Sequence, residues 1–166
     1  MVSVRDAKPD DVGAMAELFE ELDRFYGATE VEPLELRTRQ INEALFSSPP
    51  AAHALTAWQN DQLVGLASYS FLWPAVGLTR SLFLKELYVA QASRRSGVGK
   101  LLMHSLFAIA TKNHCSRVEW TTDAYNANAQ EFYDVIGLRR DPSKIFYRLE
   151  GEDLLRAAGG SVESAE

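Results

Sequence analysis

The sequence predicts a mixed α/β or α+β fold, because segments with helical and with strand-like hydrophobic patterns alternate along the chain. The chain has 166 residues, of which 46% are hydrophobic, and this suffices for one globular domain with a sizeable core. We expect that domain to span residues 1–150. A C-terminal tail over residues 151–166, which contains Ala-Ala-Gly-Gly-Ser, is expected to fray or to be disordered.

Two helices are expected in the N-terminal part of the chain. Lys8-Pro9-Asp10-Asp11 combines an early proline with two acids, which is typical of a helix start. The apolar positions that follow recur every three or four residues: Val12, Met15, Phe19, Leu22 and Tyr26. Gly27 ends this helix. A second, weaker helix is predicted over residues 33–46, before Ser47-Ser48-Pro49-Pro50.

The remaining elements are strands and two further helices. Strands are predicted at residues 2–5, 54–58, 62–72, 81–89, 117–122 and 145–149. Gln59-Asn60-Asp61 has polar turn residues between two of these runs, so a hairpin is expected there. Helices are predicted over residues 98–113 and 126–136, and Gly137 ends the second of them.

Charge and composition narrow the class of function. A net charge of −6 argues against a general nucleic-acid binder and modestly favours cationic small partners. Cys115 is the one cysteine of the sequence, so an internal disulfide is impossible. No apolar run approaches the roughly 18 residues of a membrane span, and the three histidines lack a repeated metal-binding spacing. We therefore expect a soluble, cytoplasmic protein without a metal.

The stretch RRSGVGK, residues 94–100, predicts an anion site. It joins a β-rich run to a helix, so unpaired N–H groups and the positive end of the helix dipole point in one direction. The groups that would hold a phosphate are Gly97, Gly99, Arg94, Arg95 and Lys100. An ordinary connection with solvated arginines fits this stretch equally well. Its spacing excludes the Walker loop and the three-glycine dinucleotide motif.

Two ordered motifs resemble those of the GCN5-related N-acetyltransferase (GNAT) superfamily. Arg/Gln-x-x-Gly-x-Gly/Ala, after LYV and before a Leu-rich helix, is similar to motif A of that family. NANAQEFYDVIGL, in which Asn126 stands seven positions before Tyr133, is similar to motif B. The order of elements agrees from Val2 to Leu149. The resemblance implies a mixed central sheet with a splayed central strand, flanked by helices, and acetyl-CoA as cosubstrate.

The resemblance also implies a role for each matched residue. The turn would grip the pyrophosphate of coenzyme A, and the backbone of residues 87–89 would bind pantetheine and the thioester oxygen. Asn126 would bind the pantetheine arm, although an N-cap is its ordinary role. Tyr133 is the candidate acid, because a neutral phenol can protonate a departing thiolate. The implied cofactor-binding residues are Leu87, Tyr88, Val89, Arg94, Arg95, Ser96, Gly97, Val98, Gly99, Lys100, Asn126 and Tyr133.

Glu86 is the candidate base for the amine. It lies beside the proposed thioester site, and its apolar neighbours Leu84 and Tyr88 would raise the pKa of its carboxyl group. A structural role, or a role in binding substrate charge, is equally consistent with the sequence. Relatives similar to diamine acetyltransferases often carry Glu-Asp here, whereas this chain has Lys85-Glu86. A lysine at this point would stabilise the charged form of Glu86 and weaken attraction for a polycation.

Two stretches of the front half are AELFEELDRFYG in the first helix and VGLASYSFLWPAVGLTRSLFLKELYV before motif A. Through them, the chain loosely resembles the diamine and polyamine acetyltransferase branch. Through that resemblance, the candidate substrate-binding residues are Tyr26, Glu30, Glu32, Trp73 and Glu86, although surface or core positions are the ordinary interpretation of the first four. Related enzymes are often dimers, and the apolar residues 71–76 could serve the interface of a homodimer.

The function that this sequence favours is transfer of the acetyl group of acetyl-CoA to a primary amine. The acceptor would be a small amine, a diamine or an amino-acid-like molecule, which attacks directly within a ternary complex. Two alternatives remain open. A catalytically silent acyl-CoA-binding regulatory module would need the turn but neither Glu86 nor Tyr133. A protein lysine or N-terminal acetyltransferase would need an open peptide groove.

Overall fold

The computed structural model describes residues 1–159. Its contacts divide the chain into two compact units, Met1–Tyr125 and Asn126–Glu166. The first unit carries the sheet, and the described part of the second carries two helices. Of the helices within residues 1–159, none combines the length and the apolar character that a membrane span requires.

The sheet of the first unit has five strands in the order β1-β2-β3-β4-β5. The strands are β1 (Ser3–Asp6), β2 (His53–Gln59), β3 (Gln62–Leu72), β4 (Arg80–Val89) and β5 (Cys115–Trp120). The pairs β1–β2, β2–β3 and β3–β4 are antiparallel, whereas β4 and β5 are parallel. A parallel pair needs a long crossover connection, and helix α3 (Val98–Lys112) supplies it. The predicted mixed sheet is confirmed.

Two helices precede β2, close to the predicted bounds. They are α1 (Val12–Phe25), which follows a 3-10 turn at Pro9–Asp11, and α2 (Leu34–Phe46). Asp11 accepts two hydrogen bonds from the guanidinium of Arg5, at 2.6 and 2.8 Å. Because Asp11 also accepts from the backbone N–H of Lys8, the start of α1 is joined to β1. Gly27, with φ of 94°, follows the end of the helix, as its sequence position indicates.

The core fills both faces of the sheet. Leu18 and Leu22 of α1 form a buried cluster with Leu66 of β3 and Tyr88 of β4. On α3 the buried side chains are Val98, Leu102, Met103, Leu106 and Ala110. Each fully buried aliphatic side chain contributes about 1.5–3 kcal/mol, so these apolar faces hold α1 and α3 on the sheet.

The β2–β3 hairpin confirms the turn that the sequence predicts. Asn60 and Asp61 have φ angles of 49° and 59°, in the left-handed region where Asn and Asp are the best tolerated residues after glycine. Two residues with positive φ match the twist of the flanking strands. The hairpin therefore follows from local chemistry alone.

The second unit differs from the sequence prediction in two places. Its helices are α4 (Ala127–Val135) and α5 (Gly151–Ala157). The strand predicted at residues 145–149 is wrong: this stretch joins no ladder, and Ile145 and Tyr147 are 79% and 86% exposed. A β-like pattern shows that a segment can pair, but a strand also needs a partner edge.

The second difference lies in the C-terminal tail, where residues 151–157 form the helix α5, an element that the sequence prediction does not include. Glu152 and Asp153 lie in its first turn and Arg156 in its last. These charges complement the helix dipole. The remainder of the predicted tail, residues 160–166, lies outside the described residues.

Candidate active site

The central strand β4 is bulged and splayed at one point. Ser68 of β3 pairs with Glu86, and the next residue, Tyr69, pairs with Leu84, so Lys85 is the extra residue of a β-bulge. The parallel ladder between β4 and β5 also ends at Leu84. Beyond it, the backbone groups on the β5 side of β4 lie outside the ladder. The splayed central strand implied by the family resemblance is therefore present, and such irregularities are common beside active sites.

Glu86 is the first residue after this bulge, and its side chain is partly buried. Burial raises the pKa of its carboxyl group, and the negative charges of Asp123 and Asp23 act in the same direction. The backbone N–H of Leu87 and the charge of Lys85 oppose the rise but do not cancel it. A carboxylate with a raised pKa is a better proton acceptor than an ordinary glutamate.

The glycine turn leads directly into α3. Arg95 and Gly97 adopt positive φ angles of 61° and 87°, and Gly97 is the N-cap residue of the helix. Since glycine has no side chain, no side-chain hydrogen bond caps α3. Its first-turn N–H groups, on residues 98–100, have no acceptor within the helix. They form the outline of an anion site, next to the exposed side chains of Arg95 and Lys100.

Arg94 does not extend into solvent. Its Cζ atom lies 4.4 Å from the ring centroid of Phe25 and 5.3 Å from that of Tyr88. Its Nε donates a hydrogen bond to the backbone oxygen of Val89 at 3.2 Å. The guanidinium therefore joins the end of α1 to the end of β4 and to the turn, and the interpretation of Arg94 as an ordinary solvated arginine does not hold.

Glu21 of α1 is a second link to the turn. Its Oε1 accepts a hydrogen bond from the hydroxyl of Tyr88 at 3.0 Å and another from the backbone N–H of Gln91 at 2.7 Å. Burial, together with this hydrogen bond, raises the pKa of Tyr88 to about 12. The sequence gives no sign of this role, because the partners lie 67 and 70 positions away.

The connection between α1 and α2 is held by Arg37, which sequence reasoning also missed. Its buried guanidinium donates to the backbone oxygens of Ala16 and Glu32 and to the carboxylate of Glu20. A charge enclosed by three acceptors is well compensated. Arg37 therefore fixes the connection on which the candidate substrate residues Glu30 and Glu32 lie.

The structure does not bring all the candidate substrate residues together. Tyr26, Glu30 and Glu32 lie at the end of α1 and just beyond it, and the Tyr26 ring packs edge-on against Phe25 at 5.3 Å. Trp73 follows Leu72, which pairs with Ser81 near the start of β4.

Glu86 lies five positions beyond Ser81 along β4, about 16 Å at roughly 3.3 Å per residue. The indole of Trp73 donates to the backbone oxygen of Leu78 and is 67% exposed. Trp73 thus lies at the opposite end of β4 from Glu86 and Tyr88.

The two motif B residues belong to the second unit. Asn126 is the N-cap of α4, because its Oδ1 accepts a hydrogen bond from the backbone N–H of Ala129 at 3.0 Å. The ordinary role that the sequence suggested for Asn126 is therefore realised. Tyr133 lies within α4, partly buried, with its ring centroid 5.1 Å from that of Phe132. Gly137, with φ of 84°, follows the helix.

Comparison with known proteins identifies the family. The model of the acetyltransferase (GNAT) family matches residues 15–138, which include the bulge, the glycine turn and both motifs. The chain belongs to the GNAT family, and it is accordingly an acetyl-CoA-dependent acyltransferase.

Similar proteins and structures agree with this assignment. The chain is 27% identical to the thialysine N-epsilon-acetyltransferase of Bos taurus, over 95% of this chain and 98% of that protein. It is 25% identical to the D-amino-acid N-acetyltransferase HPA3 of Saccharomyces cerevisiae, covering 90% and 91% of the two chains. A similar solved structure is the integron cassette protein VCH_CASS6 of V. cholerae, with 28% identity, a TM-score of 0.87 and coverage of 95% and 97%.

Proposed function

We propose that this protein transfers the acetyl group of acetyl-CoA to the primary amine of a small molecule within a ternary complex. The neutral amine attacks the thioester carbonyl, the C–N bond forms, and the C–S bond breaks. Glu86 accepts the proton that the attacking amine loses, directly or through one water. Tyr133 donates a proton to the departing thiolate of coenzyme A.

The observation that carries this proposal is the position of Glu86. It lies immediately after the bulge at which the β4–β5 ladder ends, and burial raises the pKa of its carboxyl group. An acetyl-transfer site needs unpaired backbone donors for the thioester oxygen and a base close to them. The splayed segment supports the first requirement through the proposed contacts of Leu87, Tyr88 and Val89, and Glu86 supports the second.

The glycine turn supplies the proposed binding site for the acetyl donor. We propose that the first-turn N–H groups of α3, with Arg95 and Lys100, bind the pyrophosphate of acetyl-CoA. The uncapped helix N-terminus and the positive φ angles of Arg95 and Gly97 support this role. Asn126 and Tyr133 complete the proposed cofactor contacts by their match to motif B.

A cationic small molecule is the proposed acceptor class. The negative charges of Asp23 and Asp123 act on Glu86, and the chain as a whole carries a net charge of −6. Both favour the approach of a molecule with one amine to acetylate and further positive charge. The named relatives include acetyltransferases for thialysine and D-amino acids, which supports an amino-acid-like or diamine-like acceptor.

Thiol release from acetyl-CoA, measured across a panel of diamines and amino acids, tests this proposal. We expect amine-dependent release that falls at least about a hundredfold in Glu86→Gln and in Tyr133→Phe. Direct titration with CoA should give similar affinity for each variant and the parent. Glu43→Gln and Tyr147→Phe, on exposed side chains, are the matched controls and should retain activity. CoA binding without turnover on any amine would instead favour a silent binding module or a protein acceptor.

We also propose that the protein forms a homodimer through residues 71–76. Leu72, Trp73 and Val76 are 47%, 67% and 65% exposed, and large exposed apolar side chains in one segment are typical of an interface. Light scattering of the full chain should give twice the monomer mass. Val76→Glu should shift it toward one monomer mass, and a wild-type mass equal to one chain would reject the proposal.

A further inference from the structure

A cavity lies at the end of the sheet where β1 ends and β2 begins. It has a volume of about 170 Å³, and its lining is drawn from the end of β1, the end of α2 and two adjacent strands. Its charged and aromatic lining residues are Asp6, Phe46, His53 and Tyr69. None of them belongs to the acetyl-transfer site described above. The cavity therefore needs a separate explanation.

Tyr69 is the polar group that this cavity leaves without a partner. The residue is 5% exposed, yet its hydroxyl makes no hydrogen bond to any residue of the described chain. The residue also lines the cavity. Burial raises the pKa of Tyr69 to about 12, and the neutral phenol is thus available as a hydrogen-bond donor. A buried donor of this kind is stabilised by an acceptor oxygen.

Asp6 supplies the charge of the cavity. Among residues 1–159 its carboxylate forms no ion pair, because the neighbouring Arg5 is bonded to Asp11 and reaches only the backbone oxygen of Asp6. Asp6 and Tyr69 line the same cavity, and the negative charge of Asp6 acts on Tyr69. An uncompensated carboxylate beside a cavity attracts a cation.

Aromatic rings form much of the remaining wall. The ring of His53 stacks on that of Tyr69, with centroids 5.3 Å apart, and Phe46 lines the same cavity. Aromatic faces combined with a carboxylate favour alkylated ammonium groups, which lose little hydration energy on binding. At about 30 Å³ per water molecule, the volume admits roughly six waters, or a ligand of similar size.

We propose that this cavity is a second binding site, which takes a compact organic cation that also carries a hydroxyl or carbonyl oxygen. The ammonium group lies against Asp6 and the rings of Phe46 and His53. The oxygen of the ligand accepts a hydrogen bond from the hydroxyl of Tyr69. The site is independent of acetyl transfer, since none of its lining residues takes part in the proposed reaction.

Choline is the probe that tests this site. It has the required size, a quaternary ammonium group and a hydroxyl, and its nitrogen carries no hydrogen that acetylation could replace. Binding to the full chain is followed by saturation-transfer NMR and isothermal titration. The neutral carbon isostere, in which a tert-butyl group replaces trimethylammonium, is the ligand control. We expect choline to bind with a Kd on the order of millimolar, and the isostere to bind at least about fivefold more weakly.

Two variants locate the binding. Asp6→Asn removes the charge and should weaken choline binding about fivefold, whereas Asp10→Asn, an exposed carboxylate outside the cavity, should leave it unchanged. Tyr69→Phe removes one oxygen atom and should weaken it about threefold. Since Asp6 is exposed, Asp6→Asn is expected to fold. If Tyr69→Phe fails to fold, Asp6→Asn alone tests whether choline binds in this cavity. Absence of choline binding, equal binding of the isostere, or binding that Asp6→Asn leaves intact would overturn the proposal.

Discussion

Replacement of Gly65 by alanine tests the packing that places the glycine turn. Gly65 lies on β3 beneath the first turn of α3. A Cβ atom at this position would lie 2.9 Å from Cγ1 of Val98, 3.2 Å from Cδ1 of Leu102 and 3.1 Å from the backbone oxygen of Tyr88. Favourable carbon–carbon contacts lie at about 3.5–4.0 Å, so the helix and the strand must separate by several tenths of an ångström.

The surroundings of Gly65 cannot absorb this displacement cheaply. Val98 and Leu102 are 1% and 0% exposed, valine is restricted at χ1, and the third close atom belongs to the backbone. Overpacking of this kind costs about 1–3 kcal/mol. The alanine regains about 0.5–1 kcal/mol by restricting the unfolded chain. The difference is about 0–2.5 kcal/mol. Because three buried atoms are too close and one of them belongs to the backbone, we expect Gly65→Ala to lower the free energy of unfolding by about 1–2 kcal/mol.

The matched control is Gly13→Ala, which introduces the same methyl group in α1. Apart from its two chain neighbours and the backbone of α1, no atom lies within 4 Å of the point that this methyl group would occupy. Alanine favours a helix interior by about 1 kcal/mol over glycine, and part of that gain is expected at Gly13, the second residue of α1. In urea titrations followed by circular dichroism, the two variants should therefore shift the midpoint in opposite directions. Because Val98 follows the N-cap of α3, Gly65→Ala should also weaken CoA binding. A Gly65→Ala protein as stable as the parent would refute the close-packing argument.

Three further predictions follow from the charged groups. If Glu86 is the base that we propose, it becomes active only as pH rises through its raised pKa, so Glu86→Gln should remove the acidic limb of the pH–rate profile. The measurement is kcat/KM against pH for an acceptor amine that stays neutral over this range. Arg5 lowers the pKa of Asp11 in the folded protein. The Arg5–Asp11 ion pair therefore stabilises the fold above the pKa of an unfolded aspartate, about 3.9, and this stabilisation is lost as pH falls through the lower pKa of the folded state. Asp11→Asn should cost about 1–2 kcal/mol at neutral pH and flatten the acid part of the stability curve in denaturant titrations. Glu21 accepts hydrogen bonds from Tyr88 and Gln91, so Glu21→Ala should raise KM for acetyl-CoA about fivefold with a smaller change in kcat. Glu21→Gln keeps an acceptor oxygen for Tyr88, and its steady-state constants should stay closer to those of the wild type.

Features that depend on neighbouring residues could be predicted from the sequence. The β2–β3 turn needs residues that tolerate positive φ, and Asn60 and Asp61 supply them. The ends of α1 and α4 were predictable for the same reason, since Gly27 and Gly137 both adopt positive φ. The glycine turn was recognisable because its glycines and basic residues lie within seven positions.

Features that depend on distant partners could not be predicted. The bulge at Lys85 is a property of the register between β3 and β4, and no local pattern in β4 encodes it. Glu21 and Arg37 look like ordinary polar residues of amphipathic helices, and their contacts with Tyr88 and Ala16 arise only on folding. The strand prediction at residues 145–149 was wrong for the opposite reason: the local pattern was present, but the segment has no partner strand.

The environment of Glu86 connects its proposed role as the base with the charge of the acceptor amine. Burial and the charges of Asp23 and Asp123 disfavour the ionised form of this carboxyl group, while Lys85 and the N–H of Leu87 favour it. A cationic acceptor that approached these carboxylates would also favour the ionised form of Glu86. The charge of the acceptor would then help to ionise Glu86, the proposed base, which has to be deprotonated before it can accept the proton of the amine. A neutral acceptor would lack this effect. Lys85 acts on Glu86 in the same direction as a cationic acceptor, and its charge also weakens the attraction for a polycation.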